Sequence, residues 1–326
     1  MDPKKVEHCL DRAIDFLYRS QLPWGEFKTL ASWNFLMIPA YYDSSPFGTG
    51  LILHNLKGLN DKRVSKMIDK AITFLLSEKE ERGTWRFWTS RNKKRIPPDL
   101  DDISVISSGL KLYGVQFEDN KDIVLNNRNK EGLFLTWVLD ERHKKNLFWK
   151  LAAEDADCVV NVNVLTYLGR SLPEVCSYIN GLISEDRSSS YYYPSKLAFF
   201  YFVSRAVRFG VTCFKKNRKR IINSVLSCQK KDGSFGNEME TALGLNTLFN
   251  LNYFGKETEE GISYLLRGQR KNGGFKKQVY FLGIPWWFLA LSPFYGYYGS
   301  EEITTGVCIE AFRNYLSQRQ FYGEGV

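Results

Sequence analysis

The sequence predicts an all-α fold, a single (α/α)6 barrel or toroid in which six outer and six inner helices alternate over residues 1–326. Three observations carry that expectation. A short turn motif recurs along the chain, a helical pattern with a charged face precedes each copy, and a helical pattern apolar on several faces follows. Stacked helix pairs satisfy all three, because each pair buries its apolar surface only against its neighbours, and closing the ring removes the exposed ends of the stack.

The turn is the clearest element. Gln21-Leu-Pro-Trp-Gly25-Glu-Phe27, Gln229-Lys-Lys-Asp-Gly233-Ser-Phe235 and Gln269-Arg-Lys-Asn-Gly273-Gly-Phe275 share the pattern Q-x-x-x-G-x-F. Lys79–Trp85 and Arg128–Phe134 are weaker copies with a basic residue in place of Gln, and a degenerate sixth slot falls at Ser188–Tyr193. The glycine allows a tight connection, the aromatic packs between adjacent outer helices, and the Gln bonds nearby backbone. The outer helices come before the turns, as in the runs starting at Val64, Arg220 and Glu260. The inner helices begin near Pro46, Asp101, Asp157, Ser195, Glu240 and Thr304; apolar residues on more than one face mark them as buried. Almost no strand is expected. The competing architecture, an open α-solenoid scaffold of the HEAT or tetratricopeptide kind, lacks a Gly-aromatic turn of this sort.

Composition fits a large packed core, with 44% hydrophobic and 15% aromatic residues. The net charge of +9 is concentrated in runs such as Lys93-Lys94-Arg95 and Arg218-Lys219-Arg220, which read as solvated faces. No nucleic-acid-binding motif accompanies them. The six cysteines form no CxxC pair; five fall in apolar helical runs as core thiols and Cys213 precedes a basic segment, a pattern that suits a reducing compartment. The N-terminal residues read as a capped amphipathic helix without the apolar core of a signal peptide. No apolar run is long enough to span a bilayer. The expected location is therefore the cytoplasm, with membrane contact through the aromatic segment Phe281–Tyr298, which could equally be a lid, as an added expectation.

Chemistry points to Asp99-Leu100-Asp101-Asp102 at the start of the second inner helix. Three carboxyls within four residues cannot all ionise cheaply, so at least one should hold its proton at neutral pH and the cluster should titrate as a unit. A helix cap needs only one Asp, so capping alone does not explain the cluster. Acids also start other inner helices: Glu154, Asp155 and Asp157; Glu238 and Glu240; Glu301 and Glu302. Parallel inner helices would place them on one rim. There they could cap helices, hold Mg²⁺ on a substrate diphosphate, or pair as the acid and base of a glycosidase, Asp101 with Asp157 or Glu240. Asn161 and Asn163 should face the same cavity.

The repeated turn resembles the QW motif of squalene-hopene and oxidosqualene cyclases, and Asp99–Asp102 is similar to the DxDD motif of class II terpene cyclases. The resemblance implies that Asp101 protonates a polyprenyl substrate and starts a carbocation cascade, with Asp99 and Asp102 orienting it. It also implies an aromatic cavity, for which Trp85, Trp88, Tyr167, Phe199, Tyr201, Trp286 and Trp287 are candidates. The substrate-binding set is then Asp157, Asn161, Glu240, Trp85, Trp88, Tyr201, Trp286 and Trp287, with a small isoprenoid, as a diphosphate or a prenylated aromatic, as ligand. No cofactor is required beyond Mg²⁺ for a diphosphate. The chain departs from the family in length, since the familiar enzymes place the site between two α/α domains; a lid, a partner protein or a second copy would complete the cavity. The related protein-prenyltransferase zinc site is not expected, because only His8, His54 and His143 are present and none follows Asp157-Cys158. Two alternatives stay open: a carbohydrate-active α/α barrel, and a non-catalytic lipid-binding or scaffold barrel.

Overall fold

The computed structural model describes residues 2–283 and 296–323. Inner helices lie at each expected start: α2 (Pro46–Leu56), α4 (Leu100–Leu112), α7 (Cys158–Leu168), α9 (Lys196–Arg208), α11 (Glu238–Asn250) and α13 (Glu301–Gly323). Between them run α1 (Pro3–Ser20), α3 (Lys62–Ser77), α5 (Lys121–Asn126), α6 (Leu147–Ala152), α8 (Pro173–Ser184), α10 (Arg218–Leu226) and α12 (Lys256–Gly268). The inner helices touch in cyclic order, α2 to α4, α7, α9, α11, α13 and back to α2. Every residue of α2 is buried, whereas α1 and α3 each bury one stripe. That contrast follows from the sequence, because a helix with no polar face has none to give to water.

The recurring turn clamps neighbouring outer helices together. The Gln21 amide donates to its own turn at Gly25 O, 2.8 Å, and to Met67 O of α3, 2.9 Å. Gln229 does the same to Gly233 O and to Glu257 O of α12. Gln269 bonds Gly273 O and returns to Cys9 O of α1. A Cβ at Gly273, where φ is +91°, would sit 2.3 Å from Arg12 O, so the approach of the next helix excludes a side chain. The aromatics Phe27, Trp85, Phe134, Phe235 and Phe275 are buried, and the backbone N–H groups of Phe27, Phe235 and Phe275 donate to Thr49, Thr241 and Thr305 on the following inner helices.

The chain is not all-α. Four short strands, β1 (Leu30–Ser32), β2 (Tyr41–Tyr42), β3 (Phe281–Leu282) and β4 (Tyr297–Gly299), form an antiparallel sheet in the order β2-β1-β4-β3. Leu30 pairs with Gly299 and Phe281 with Tyr298. At two or three residues each, these strands are too short to show a period of two. They lie in the connections between turns and inner helices, over the same end of the barrel as the start of α4.

The expectation that Cys176 is a core thiol is also corrected. Cys176 on α8 and Cys213 form a disulfide, with Cα atoms 6.1 Å apart; Cys9, Cys158, Cys228 and Cys308 are free. The 37-residue separation hid the pair, which the packing of α8 on segment 212–217 brings together. Among the described residues no helix is long and apolar enough to cross a membrane.

Candidate active site

Pro97 and Pro98 deliver the chain to α4 in an extended form. Val138 N–H donates to Pro98 O and Leu100 N–H to Thr136 O, so the approach to α4 is held against segment 136–138. Asp99 is the N-cap: its Oδ1 accepts from Asp102 N–H at 2.7 Å. The capping reading therefore accounts for one Asp of the three. Asp102 is 1% exposed, and its Oδ2 has no hydrogen-bond partner. Asp101 lines the cavity and is held on both oxygens. Asn163 Nδ2 donates to Oδ1 at 2.7 Å, and the Tyr193 hydroxyl donates to Oδ2 at 2.5 Å.

Burial governs the protonation of the cluster. Loss of solvation raises Asp101 to about 7, with the charge on Asp99 adding to the rise and the Tyr193 hydrogen bond opposing it. Burial and then the neighbouring Asp99 push Asp102 well above the ordinary carboxyl range. Asp99 is raised by burial, while the amide N–H it caps works the other way. The group thus holds protons at neutral pH, as expected of crowded buried acids.

Beside Asp101 opens a cavity of about 560 Å³. Its walls are mainly aromatic, including Phe47, Phe87, Trp88, Trp137, Phe281 and Tyr298. Phe87 meets Tyr298 edge-on at 4.9 Å, and Phe281 stacks on Tyr298 at 5.6 Å with ring planes 1° apart. Aromatic faces of this kind stabilise a cation where water cannot. Lys94, Arg95 and Asn146 also line it.

Several expected site residues lie elsewhere. Asp157 does not line the cavity: it caps α7, accepting from Val159 and Val160 N–H on Oδ1 and from Ser190 Oγ and Tyr191 N–H on Oδ2. Glu240 completes a capping box with Asn237 at α11. Asn161 accepts from Phe134 N–H at 2.9 Å and donates back to Phe134 O. It does for its repeat what Thr49, Thr241 and Thr305 do for theirs. Trp85 is fully buried with its indole N–H on Leu75 O, as the aromatic of its turn. Tyr201 is buried on α9, where it donates to Glu310. Tyr167 bonds Asn120, and Phe199 is core. Trp88 does line the cavity, with its indole N–H on Asp43. Trp286 and Trp287 fall outside the described residues. The rim acids are also engaged: Asp155 accepts from Tyr192, Glu238 from Gln278, and Glu301 from Arg270. Among the described residues no three His, Cys, Asp or Glu side chains converge as a metal-binding set.

Sequence reasoning missed Tyr193, Phe47, Phe87 and Trp137. The signal for Tyr193 was present in the degenerate sixth slot, where the run Tyr191-Tyr192-Tyr193 precedes α9 as Asp99 precedes α4.

Comparison with known proteins bears on the fold. No family model matches the chain, and no curated protein matches its sequence. Solved structures do. The type II terpene cyclase MstE from Scytonema superposes with a TM-score of 0.75 at 13% identity, covering 95% of this chain and 98% of that one. The fold is of the terpene-cyclase kind. A variant of MstE in complex with geranylgeranyl dihydroxybenzoate, described as its substrate, gives a TM-score of 0.74 at 15% identity, covering 97% and 98%. A protein from Actinoplanes matches equally well, with a TM-score of 0.75 at 16% identity over 95% and 99%. A possible member of the GH105 family from Salmonella enterica is more distant, with a TM-score of 0.59 at 11% identity over 98% and 95%.

Proposed function

We propose that this protein is a class II terpene cyclase-like enzyme, built as one domain on a closed (α/α)6 barrel, in which Asp101 protonates a polyprenyl substrate. The observation that carries the reading is the placement of a buried, proton-retaining carboxyl against an aromatic cavity. An alkene is a very weak base. Its protonation needs an acid that keeps its proton in the resting state and whose conjugate base is stabilised as it forms. Burial supplies the first property; Asn163 and Tyr193, already aimed at the two oxygens, supply the second without rearrangement. The carbocation then lies among ring faces, away from water. Asp102 holds its proton and spares Asp99 a fully charged neighbour.

In support of a one-domain reading, 95% of this chain covers 98% of a solved type II terpene cyclase chain. A prenylated aromatic substrate is the analogue to try first, given the ligand of that structure. The paired-carboxylate reading loses the two partners it named, since Asp157 and Glu240 are spent on helix caps and do not line the cavity.

The test is incubation of wild type and Asp101→Asn with polyprenyl substrates, among them geranylgeranyl dihydroxybenzoate and geranylgeranyl diphosphate, with and without Mg²⁺. Cyclised product from wild type and a loss of at least about a thousandfold in Asp101→Asn are expected, since the proton donor is removed. Undiminished turnover by Asp101→Asn would remove Asp101 as the acid.

A further inference from the structure

Behind the acid lies a buried arginine that the protonation step leaves unused. Arg205 on α9 is 3% exposed, and among the described residues its side-chain hydrogen bond goes to an amide and not to a carboxylate. Its Nη2 donates to Asn163 Oδ1 at 2.9 Å, while Nε and Nη1 have no hydrogen-bond partner among the described residues. The guanidinium lies over the Phe202 ring at 4.7 Å and the Tyr201 ring at 5.7 Å. Leaving two buried N–H groups unpaired is costly, so the arginine must return something specific.

We propose that Arg205 is a positioning residue for Asp101, acting through Asn163 to fix which face of the amide meets the acid. The inference rests on the reading of Asp101 as the proton donor and adds a group that the reading does not require. A guanidinium can only donate, so the atom of Asn163 that meets Arg205 must be the carbonyl oxygen. The NH2 is then forced toward Asp101, and Oδ1 of the acid can only accept. Without Arg205 the two amide orientations fit the same space. The flipped amide would offer its oxygen to Asp101, capture the acid proton in a hydrogen bond, and hold it away from the cavity. Arg205 removes that alternative, and its charge, relayed through the amide, favours the carboxylate left after proton transfer.

Other charges around Asp101 come from several elements. Asp99 and Asp102 share α4, Asp157 begins α7, Tyr193 precedes α9, Tyr280 approaches from the segment before β3, and Lys94 and Arg95 line the cavity. His54 of α2 stands near Arg205, but burial keeps its imidazole neutral, down at about 3. Arg205 is thus the cation joined to Asp101 by a single hydrogen-bonded side chain.

The test reads the acid directly. Protein carrying ¹³Cγ-labelled Asp is titrated by NMR, and the Asp101 signal is assigned by its loss in Asp101→Asn. Arg205→Met should raise the Asp101 titration by about one pH unit or more, and Asn163→Leu should do likewise. In the Asn163→Leu background, Arg205→Met should add little, because the two act in series. Arg205→Gln, a milder change that also removes the charge, should raise the titration by a smaller amount and carries the test if Arg205→Met fails to fold. With a turned-over substrate, kcat should fall about tenfold to a hundredfold with KM within about twofold. An Asp101 titration unmoved in folded Arg205→Met or Arg205→Gln overturns the proposal, as does full additivity with Asn163→Leu. If the titration moves as expected while wild type cyclises no polyprenyl compound, the positioning role stands and the cyclase reading falls.

Discussion

At the scale of single residues, the three aspartates have separate tasks despite their adjacency. All three border the cavity, but Asp99 caps α4, Asp102 is 1% exposed, and Asp101 is held between two donors. The pH dependence follows from Asp101. A general acid acts while protonated, so activity should be sustained below its raised value and fall about tenfold per unit as pH climbs past about 7. An ordinary Asp would have lost its proton near 4, which reverses the expectation at neutral pH. A kcat profile between pH 5 and 9 checks this; activity rising steadily across that range would contradict it. The sequence disclosed the cluster and the need for a shared proton, because crowding of carboxyls is visible in four consecutive letters. It did not disclose Tyr193 or Arg205 as partners, since they lie 92 and 104 positions beyond Asp101 and only the barrel brings them back.

At the scale of elements, the turn repeat is a fastening between outer helices as well as a connection. Each Gln of the turn pattern bonds its own turn and the next outer helix around the ring, so losing the side chain releases two hydrogen bonds at once. Gln21→Ala should destabilise the protein by about 1–3 kcal/mol, lowering Tm by a few degrees without changing kcat for the cavity chemistry. Thermal unfolding followed by circular dichroism measures it; an unchanged Tm would show that the clamp is ornamental. The same repeat explains why Asn161 reads as a site residue and is not one. Its position in α7 matches that of a threonine in three other inner helices, and its job is to receive the backbone of the turn aromatic. The helices were legible because their periods persist over three turns. The strands were not, because two residues have no period.

At the scale of the whole molecule, the disulfide joins α8 to the segment before α10, on the outer wall and away from the residues lining the cavity. A crosslink that closes 37 residues constrains the unfolded chain by roughly 3–4 kcal/mol. The double substitution Cys176→Ser and Cys213→Ser should lower stability toward denaturant by about that amount and leave kcat unchanged. A matching midpoint in urea for the two proteins would refute it. Ring closure itself was inferable from the count of repeat units, whereas the sulfur pair needed the neighbours that closure creates.

The pairing of β1 with β4 places residues 30–32 beside residues 297–299, and Phe47 and Tyr298 come to line one cavity. For a chain emerging from the ribosome, this makes the acid cluster an early product and its aromatic enclosure a late one. At about 5–20 residues per second, Tyr298 follows Phe47 by roughly 12–50 s. Through that interval the greasy wall of the future cavity lacks the side that Phe281 and Tyr298 supply, and it is a surface a chaperone would hold. A ribosome-stalled chain ending before β4 would carry every aspartate and still have no enclosed acid, so the chemistry arrives only when the last helix swings home.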